Sequence, residues 1–527
     1  MNAEPMNQDG VDAGEDDRVI PKQYLVPFIL VTTLFALWGF ANNFTDPMVK
    51  VFKDVFAISN AQSAVVQMAF YGGYATMAIP AALFIRKFSY KSGIIMGLLL
   101  FGGGAMLSIP AAGNVNFWLF ILAIYILTFG LAFLETTANP FILAMGSEKT
   151  STMRLNLAQA FNPMGSLLGA FIAANVVMSN INVADFKADV TGFKTAIVAE
   201  DTEQAELYVL PFLKAKEKEL KQDDNVKSYV QNYVAAAATA EEVEGYDAKT
   251  DDRAMDKIVD NALVDFRKGN IESYQGASFS DLQRHDLGLV SKCYMTLGFV
   301  VLGTLVVFLI KSMPDTSSSE DDSDNMDLGP TAKRLFANPR YVFGVISQMF
   351  YVGAQIMVWT FIIQYAEKEL GMDNATAANH QIMALVIFLT FRFICTYFLK
   401  FVSPGKLLAT LATGGMLFTL GAIHITGMTG LYSLIAISAC MSLMFPTIYG
   451  LALEGIGEDA KLGSAGLILA IVGAVWLTGF QGMILDFDSF LGTTATRGSF
   501  YLSFGCFLIV TIYGFLCRNP KKAVSGV

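Results

Sequence analysis

Glu135 is the residue whose chemistry most needs accounting for. It lies in an apolar run from Phe117 to Met145, 18 residues from one end and ten from the other, too deep for its side chain to reach either interface. A carboxylate at bilayer depth costs roughly 2.5 kcal/mol or more on insertion scales, so it should face a watery cavity and handle a proton, an ion or a polar substrate. Asn139 follows four residues later on the same helix face, and Pro140 frees the Thr136 carbonyl and is able to kink the helix. A second carboxylate, Asp46, closes the run from Tyr24, with Asn43 three residues before it. Two readings of Asp46 stay open. It is a proton-titrating carboxylate beside a hydroxyl-binding amide, or it is a solvated acid at the outer interface, which the irregularity expected at Pro47 would suit.

Three amides, Asn156, Gln159 and Asn162, fall in another apolar run, and Gln355 and Trp359 stand four apart in a third, with Tyr351 one turn earlier. In lipid such amides must face protein or water. Amides and carboxylates that grip hydroxyls, with an aromatic plate for the apolar ring face, make a hexose site; polar packing between helices is the alternative for each amide alone. Arg392 is the basic residue deep in an apolar run. It either pairs with an acid of the other half or braces the cytoplasmic end of its span, and bracing is the expectation. His285, His380 and His424 are scattered and are not expected to relay protons. The five cysteines fall within or at the ends of apolar runs, so neither a disulfide nor a metal site is expected. No GxxxxGK[ST] phosphate loop, His-Glu-x-x-His or Gly-x-Ser-x-Gly motif is present, which argues against an ATP-driven pump and against a membrane enzyme.

These residues need long helices to hold them. The chain has 527 residues, 54% hydrophobic and 16% charged, against about 25% charged in soluble domains. Twelve apolar segments are long enough to span, at about 20 residues each. They lack strand-like alternation and are rich in Gly and Ala, so the expected class is an all-α membrane protein with 12 transmembrane helices in two six-helix bundles. The first 20 residues lack a signal peptide's basic start and apolar core, so the first span is expected to remain as an anchor. Seventeen Lys and Arg fall on the side of the N-terminus and four in the opposite short loops, which predicts both termini cytoplasmic.

Two polar stretches interrupt the pattern. Residues 180–286 hold 22 acids and 13 bases, nearly all of the chain's net charge of −10. A small extracytoplasmic cap is expected, helical over Thr202–Glu219 and Asp251–Arg267, whose replacement over 183–284 would leave a folded, transporting protein. Pro314 to Pro330 is an acidic linker, expected to be flexible, that divides the spans six and six. Matching features six spans apart, Asn139-Pro140-Phe141-Ile142 and Phe445-Pro446-Thr447-Ile448, suggest a parallel duplication. The layout is then a cytoplasmic tail (1–23), spans one to five (24–178), the insert (179–287), span six (288–310), a cytoplasmic linker (311–340), spans seven to twelve (341–517) and a cytoplasmic tail (518–527).

Four stretches are similar to one family: Phe35-Ala36-Leu37-Trp38-Gly39-Phe40-Ala41-Asn42-Asn43, Leu134-Glu135-Thr136-Thr137-Ala138-Asn139-Pro140-Phe141, Arg154-Leu155-Asn156-Leu157-Ala158-Gln159-Ala160-Phe161-Asn162 and Tyr351-Val352-Gly353-Ala354-Gln355. The chain resembles the fucose/proton symporters of the major facilitator superfamily, with glucose/galactose permeases as near neighbours. The resemblance implies the major facilitator fold, alternating access, and residence in the inner membrane of a bacterium. It implies proton coupling at Asp46, sugar binding and transport at Glu135, and polar cavity positions at Asn43, Gln159 and Asn162. From the residues themselves Asn139, Gln355 and Trp359 join the expected substrate set. The expected partners are a monosaccharide, protons and the lipid bilayer, without nucleic acid or cofactor, around a monomer that is not an enzyme. The insert departs from the family, whose loop there is short. A glucose or galactose permease, with Na⁺ as the alternative coupling ion, and a membrane sugar sensor are the rival readings.

Overall fold

The computed structural model describes residues 18–58, 60–63, 65–189, 262–269, 271, 273–313, 328–372, 374–485, 487 and 489–518. The expected helix over Thr202–Glu219, most of that over Asp251–Arg267, and the acidic stretch 314–327 lie outside them. Among the described residues, twelve helical spans are long and apolar enough to cross a membrane. Spans one to six are Lys22–Phe56, Val65–Lys87, Tyr90–Gly113, Phe117–Ala144, Glu148–Asn180 and Phe279–Ile310. Spans seven to twelve are Pro339–Leu370, Thr376–Phe398, Pro404–His424, Met428–Leu453, Ala460–Leu485 and Ala495–Leu516.

The buried side chains form two cores. One gathers Phe35, Phe52, Phe101, Phe120 and Tyr294 from the first half; the other gathers Tyr351, Met357, Phe507 and Tyr513 from the second. The first core continues into Tyr341, Tyr449 and Leu467 of the second half, and there the halves join. Polar contacts mark the joint: Asn156 Nδ2 donates to Thr447 Oγ1 at 3.1 Å, the Gly455 amide donates to Glu148 Oε1 at 2.8 Å, and Lys461 Nζ lies 5.6 Å from the Tyr90 ring centroid. Because spans alternate in direction, these contacts sit on the face from which span one starts. Asn156 therefore belongs to the joint between the halves.

Five spans are broken, span twelve near its start, between Gly498 and Tyr501. Span one is two helices, Leu25–Thr45 and Met48–Phe56, with Asp46 and Pro47 between. Span five divides at Ala160 into Ser151–Gln159 and Phe161–Ile172. Span ten divides between Met441 and Met444, and span eleven passes through a tight turn at Ala470–Val472. Pro163, which has no N–H to give the Gln159 carbonyl, accounts for the break in span five. Pro140, in contrast, lies inside an unbroken helix, Phe117–Ala144.

The chain between spans five and six differs from expectation at its base. Span six starts at Phe279 behind a Ser278–Asp281 capping box. Phe186, Phe266 and Tyr274 pack into the first core, so the ends of the insert belong to the bundle. The buried Asp286 carboxylate accepts from the Asn182 and Val183 amides, each at 3.0 Å. Lys187 Nζ lies 2.7 Å from Asp54 Oδ1 at the end of span one. The expectation that the whole stretch 179–287 stands clear of the core is therefore corrected: apolar residues dispersed among charges formed a face that the sequence pattern concealed.

Candidate functional site

A cavity of about 170 Å³ lies between the halves. A water-sized group needs about 10–15 Å³ of such space, so the cavity has room for roughly a dozen, the scale of one monosaccharide. Four of the broken spans place a residue there beside the break: Asp46 from span one, Gln159 and Asn162 from span five, Phe445 from span ten and Ile471 from span eleven. Broken helices at the middle of a bundle expose backbone and polar side chains to a ligand.

Span one meets span five closely enough that a Cβ on Gly39 would strike the Asn162 carbonyl, and one on Gly165 would strike that of Ala36. This approach sets Asn43 and Asp46 beside Asn162, whose Nδ2 donates to the Phe35 carbonyl at 3.2 Å. Asp46 is exposed, and the span runs on to Phe56, so the acid opens on the cavity well short of the end of its span.

Glu135 is 4% exposed. Tyr74 donates its hydroxyl to Glu135 Oε1 at 3.2 Å, while Oε2 is buried without a partner. Asn139 does not line the cavity. Its Nδ2 donates to the Glu135 carbonyl at 2.9 Å, and its Oδ1 accepts from Gln159 Nε2 at 2.8 Å. Its place is behind Gln159, which it orients, because a helix residue four positions on lies directly over the preceding turn.

From the second half, Gln355 and Trp359 both line the cavity. The Trp359 indole N–H donates to Ser438 Oγ at 3.2 Å, which leaves its ring face as the surface it offers. Tyr351, grouped with them by spacing, is fully buried and donates to the Met441 carbonyl at 3.0 Å. It is scaffold. Arg392 also lines the cavity, 3% exposed, with its guanidinium 4.9 Å from the Phe388 ring centroid. The expectation that it braces the end of span eight is thereby corrected.

Sequence reasoning missed Tyr74, Asn42, Phe388 and the role of Arg154. Tyr74 carried a signal in Tyr71-Gly72-Gly73-Tyr74: a Cβ on Gly73 would strike Thr128, so the pair of glycines draws span two against span four. Arg154, assigned to a loop by charge counting, is fully buried and donates to the carbonyls of Ile142 and Leu143 at the end of span four. No His, Cys, Asp and Glu cluster that could hold a metal occurs among the described residues.

The chain is 41% identical, over 94% of its length and 98% of the relative's, to an L-fucose-proton symporter of Haemophilus influenzae. It is 29% identical to the L-fucose-proton symporter of Escherichia coli over 90% of this chain and 89% of that one, and 24% identical to a glucose/galactose transporter of Brucella abortus over 94% and 95%. No family model matches. The fold matches the crystal structure of FucP, a major facilitator superfamily transporter in the outward conformation, with a TM-score of 0.71 and 26% identity over 94% of this chain and all of that one. XylE, at 13% identity and a TM-score of 0.58, shares the fold.

Proposed function

We propose that this chain, which belongs to the L-fucose-proton symporter family of the major facilitator superfamily, carries a hexose or deoxyhexose, best matched by L-fucose, together with protons by alternating access. The reading rests on one observation above the others. Two carboxylates, five amides and the Trp359 indole face converge on one cavity of monosaccharide scale between the halves.

In this reading Glu135 accepts hydrogen bonds from sugar hydroxyls, and Asn43, Gln159, Asn162 and Gln355 supply further donors and acceptors. Trp359 covers the apolar face of the ring. Asn139 holds Gln159 in place. Asp46, set apart from Glu135 at the break in span one, takes the coupling proton. Protonation that changes the relative stability of two states couples one gradient to the other. The protein acts as a monomer in the bacterial inner membrane with both termini cytoplasmic. The joint at Asn156, Thr447, Glu148 and Gly455 then closes the cytoplasmic side, and the molecule stands outward-facing.

The test is uptake into proteoliposomes under an imposed pH gradient, with labelled L-fucose, D-galactose and D-glucose offered separately. Accumulation of L-fucose driven by inward proton flow is expected. Accumulation of only the other sugars, or dependence on Na⁺, would move the assignment to the glucose/galactose branch.

A further inference from the structure

The second half brings one charge to the cavity that the function proposed above leaves unused. Arg392 is buried, and its Nε and Nη1 have no hydrogen-bond partner among the described residues. Its guanidinium rests on Phe388, which meets Trp359 edge-to-face at 4.9 Å. The cation is thus held by the aromatic wall that includes the Trp359 indole. On the other side of the same cavity, Glu135 Oε2 is the matching unpaired atom. A buried charge that lacks its partner is strongly unfavourable. A fold keeps two such groups of opposite sign, on opposite halves, where something that enters the space between meets both.

A vicinal diol has that chemistry. Its hydroxyl hydrogens donate to a carboxylate, and its oxygens accept from a guanidinium, whose rigid fork presents parallel N–H groups. We propose that Arg392 is a sugar-binding residue, the charged hydrogen-bond donor of the site, and that the substrate bridges it to Glu135 across the two halves. This rests on the sugar-transport reading. It adds a physical link between binding and closure, because a ligand satisfied by both halves at once favours the state in which they are closest. It also predicts selectivity toward sugars with adjacent hydroxyls in reach of both groups.

The experiment is calorimetric titration of the purified full chain with L-fucose, D-galactose, D-glucose and fucose analogues each lacking one hydroxyl. Wild type, R392Q and R392K are compared, with folding followed by thermal melting. R392Q should bind the preferred sugar roughly ten- to a hundredfold more weakly, the fold-change of a lost hydrogen bond to a charged group. R392K should fall between, since an ammonium gives charge without the fork. One deoxy analogue should lose affinity for wild type yet little further for R392Q, because its missing hydroxyl is the one Arg392 meets. Unchanged affinity in folded R392Q, or losses that add for every analogue, would overturn the proposal. So would variants that fail to fold, which would place Arg392 in the scaffold. A wild-type protein that binds none of these sugars would overturn the sugar reading itself, and this inference with it.

Discussion

Tyr74 and Glu135, from spans two and four, share one hydrogen bond of 3.2 Å that occupies Oε1 and leaves Oε2 free. The bond fixes which edge of the carboxylate the cavity sees. Removal of the carboxylate should weaken sugar binding by about 1.5–3 kcal/mol, as for a hydrogen bond to a charged group. Tyr74→Phe should cost less, about 1 kcal/mol, because the carboxylate remains but turns more freely. Titration of Glu135→Ala and Tyr74→Phe checks the order; a larger loss for Tyr74→Phe would make the tyrosine the contact residue.

Asp46 stands at a helix break and opens on the cavity. If it carries the coupling proton, Asp46→Asn should abolish accumulation driven by a pH gradient and retain exchange of labelled for unlabelled sugar across the membrane. Loss of exchange and of binding together would assign Asp46 to the sugar site or to folding.

The docked ends of the insert change what a deletion should do. Replacing 183–284 with a short Gly/Ser linker removes Lys187, Phe186, Phe266 and Tyr274, and leaves Asp54 buried without its partner. That variant should melt well below wild type, since stripping one member of a buried pair costs about 3 kcal/mol or more. Replacing only 190–261 keeps the pair and the core, and lengthening or shortening a loop changes closure entropy slowly. It should therefore melt near wild type and still transport. Equal melting temperatures for the two variants would show the docked ends to be dispensable.

Asn156 and Thr447 join the halves on one face. Thr447→Val keeps the shape and removes the acceptor, so one N–H of the buried Asn156 amide loses its partner, at about 1–3 kcal/mol, while the other keeps the Thr152 carbonyl. The closed joint should open more often. A single cysteine placed at Ser151, beside Glu148 of the joint, in a chain whose five native cysteines are replaced, should then react faster with a thiol reagent applied from that face than it does in the parent. An unchanged rate would mean that the joint is held by packing alone.

The sequence by itself determined the spans, their number and the identity of the intramembrane polar residues, because a bilayer punishes every misplaced polar group and apolar length is read directly along the chain. It located Glu135, Asp46, Asn43, Gln159, Asn162, Gln355 and Trp359, all of which line the cavity. Spacing placed Asn139 on the face of Glu135, and that much holds, yet only tertiary structure decided that Asn139 faces Gln159 and leaves the cavity to it. The same is true of Arg392 and Arg154. Along the chain one reads as buried and the other as a loop charge, whereas in the fold one faces the cavity and the other caps the carbonyls of a neighbouring span. The docked insert was hidden for a related reason. Phe186, Phe266 and Tyr274 are far apart in sequence, and no local period marks residues that meet only once spans one, five and six are assembled. Spacing encodes which residues share a face, but the partner of that face is set by helices distant in the chain.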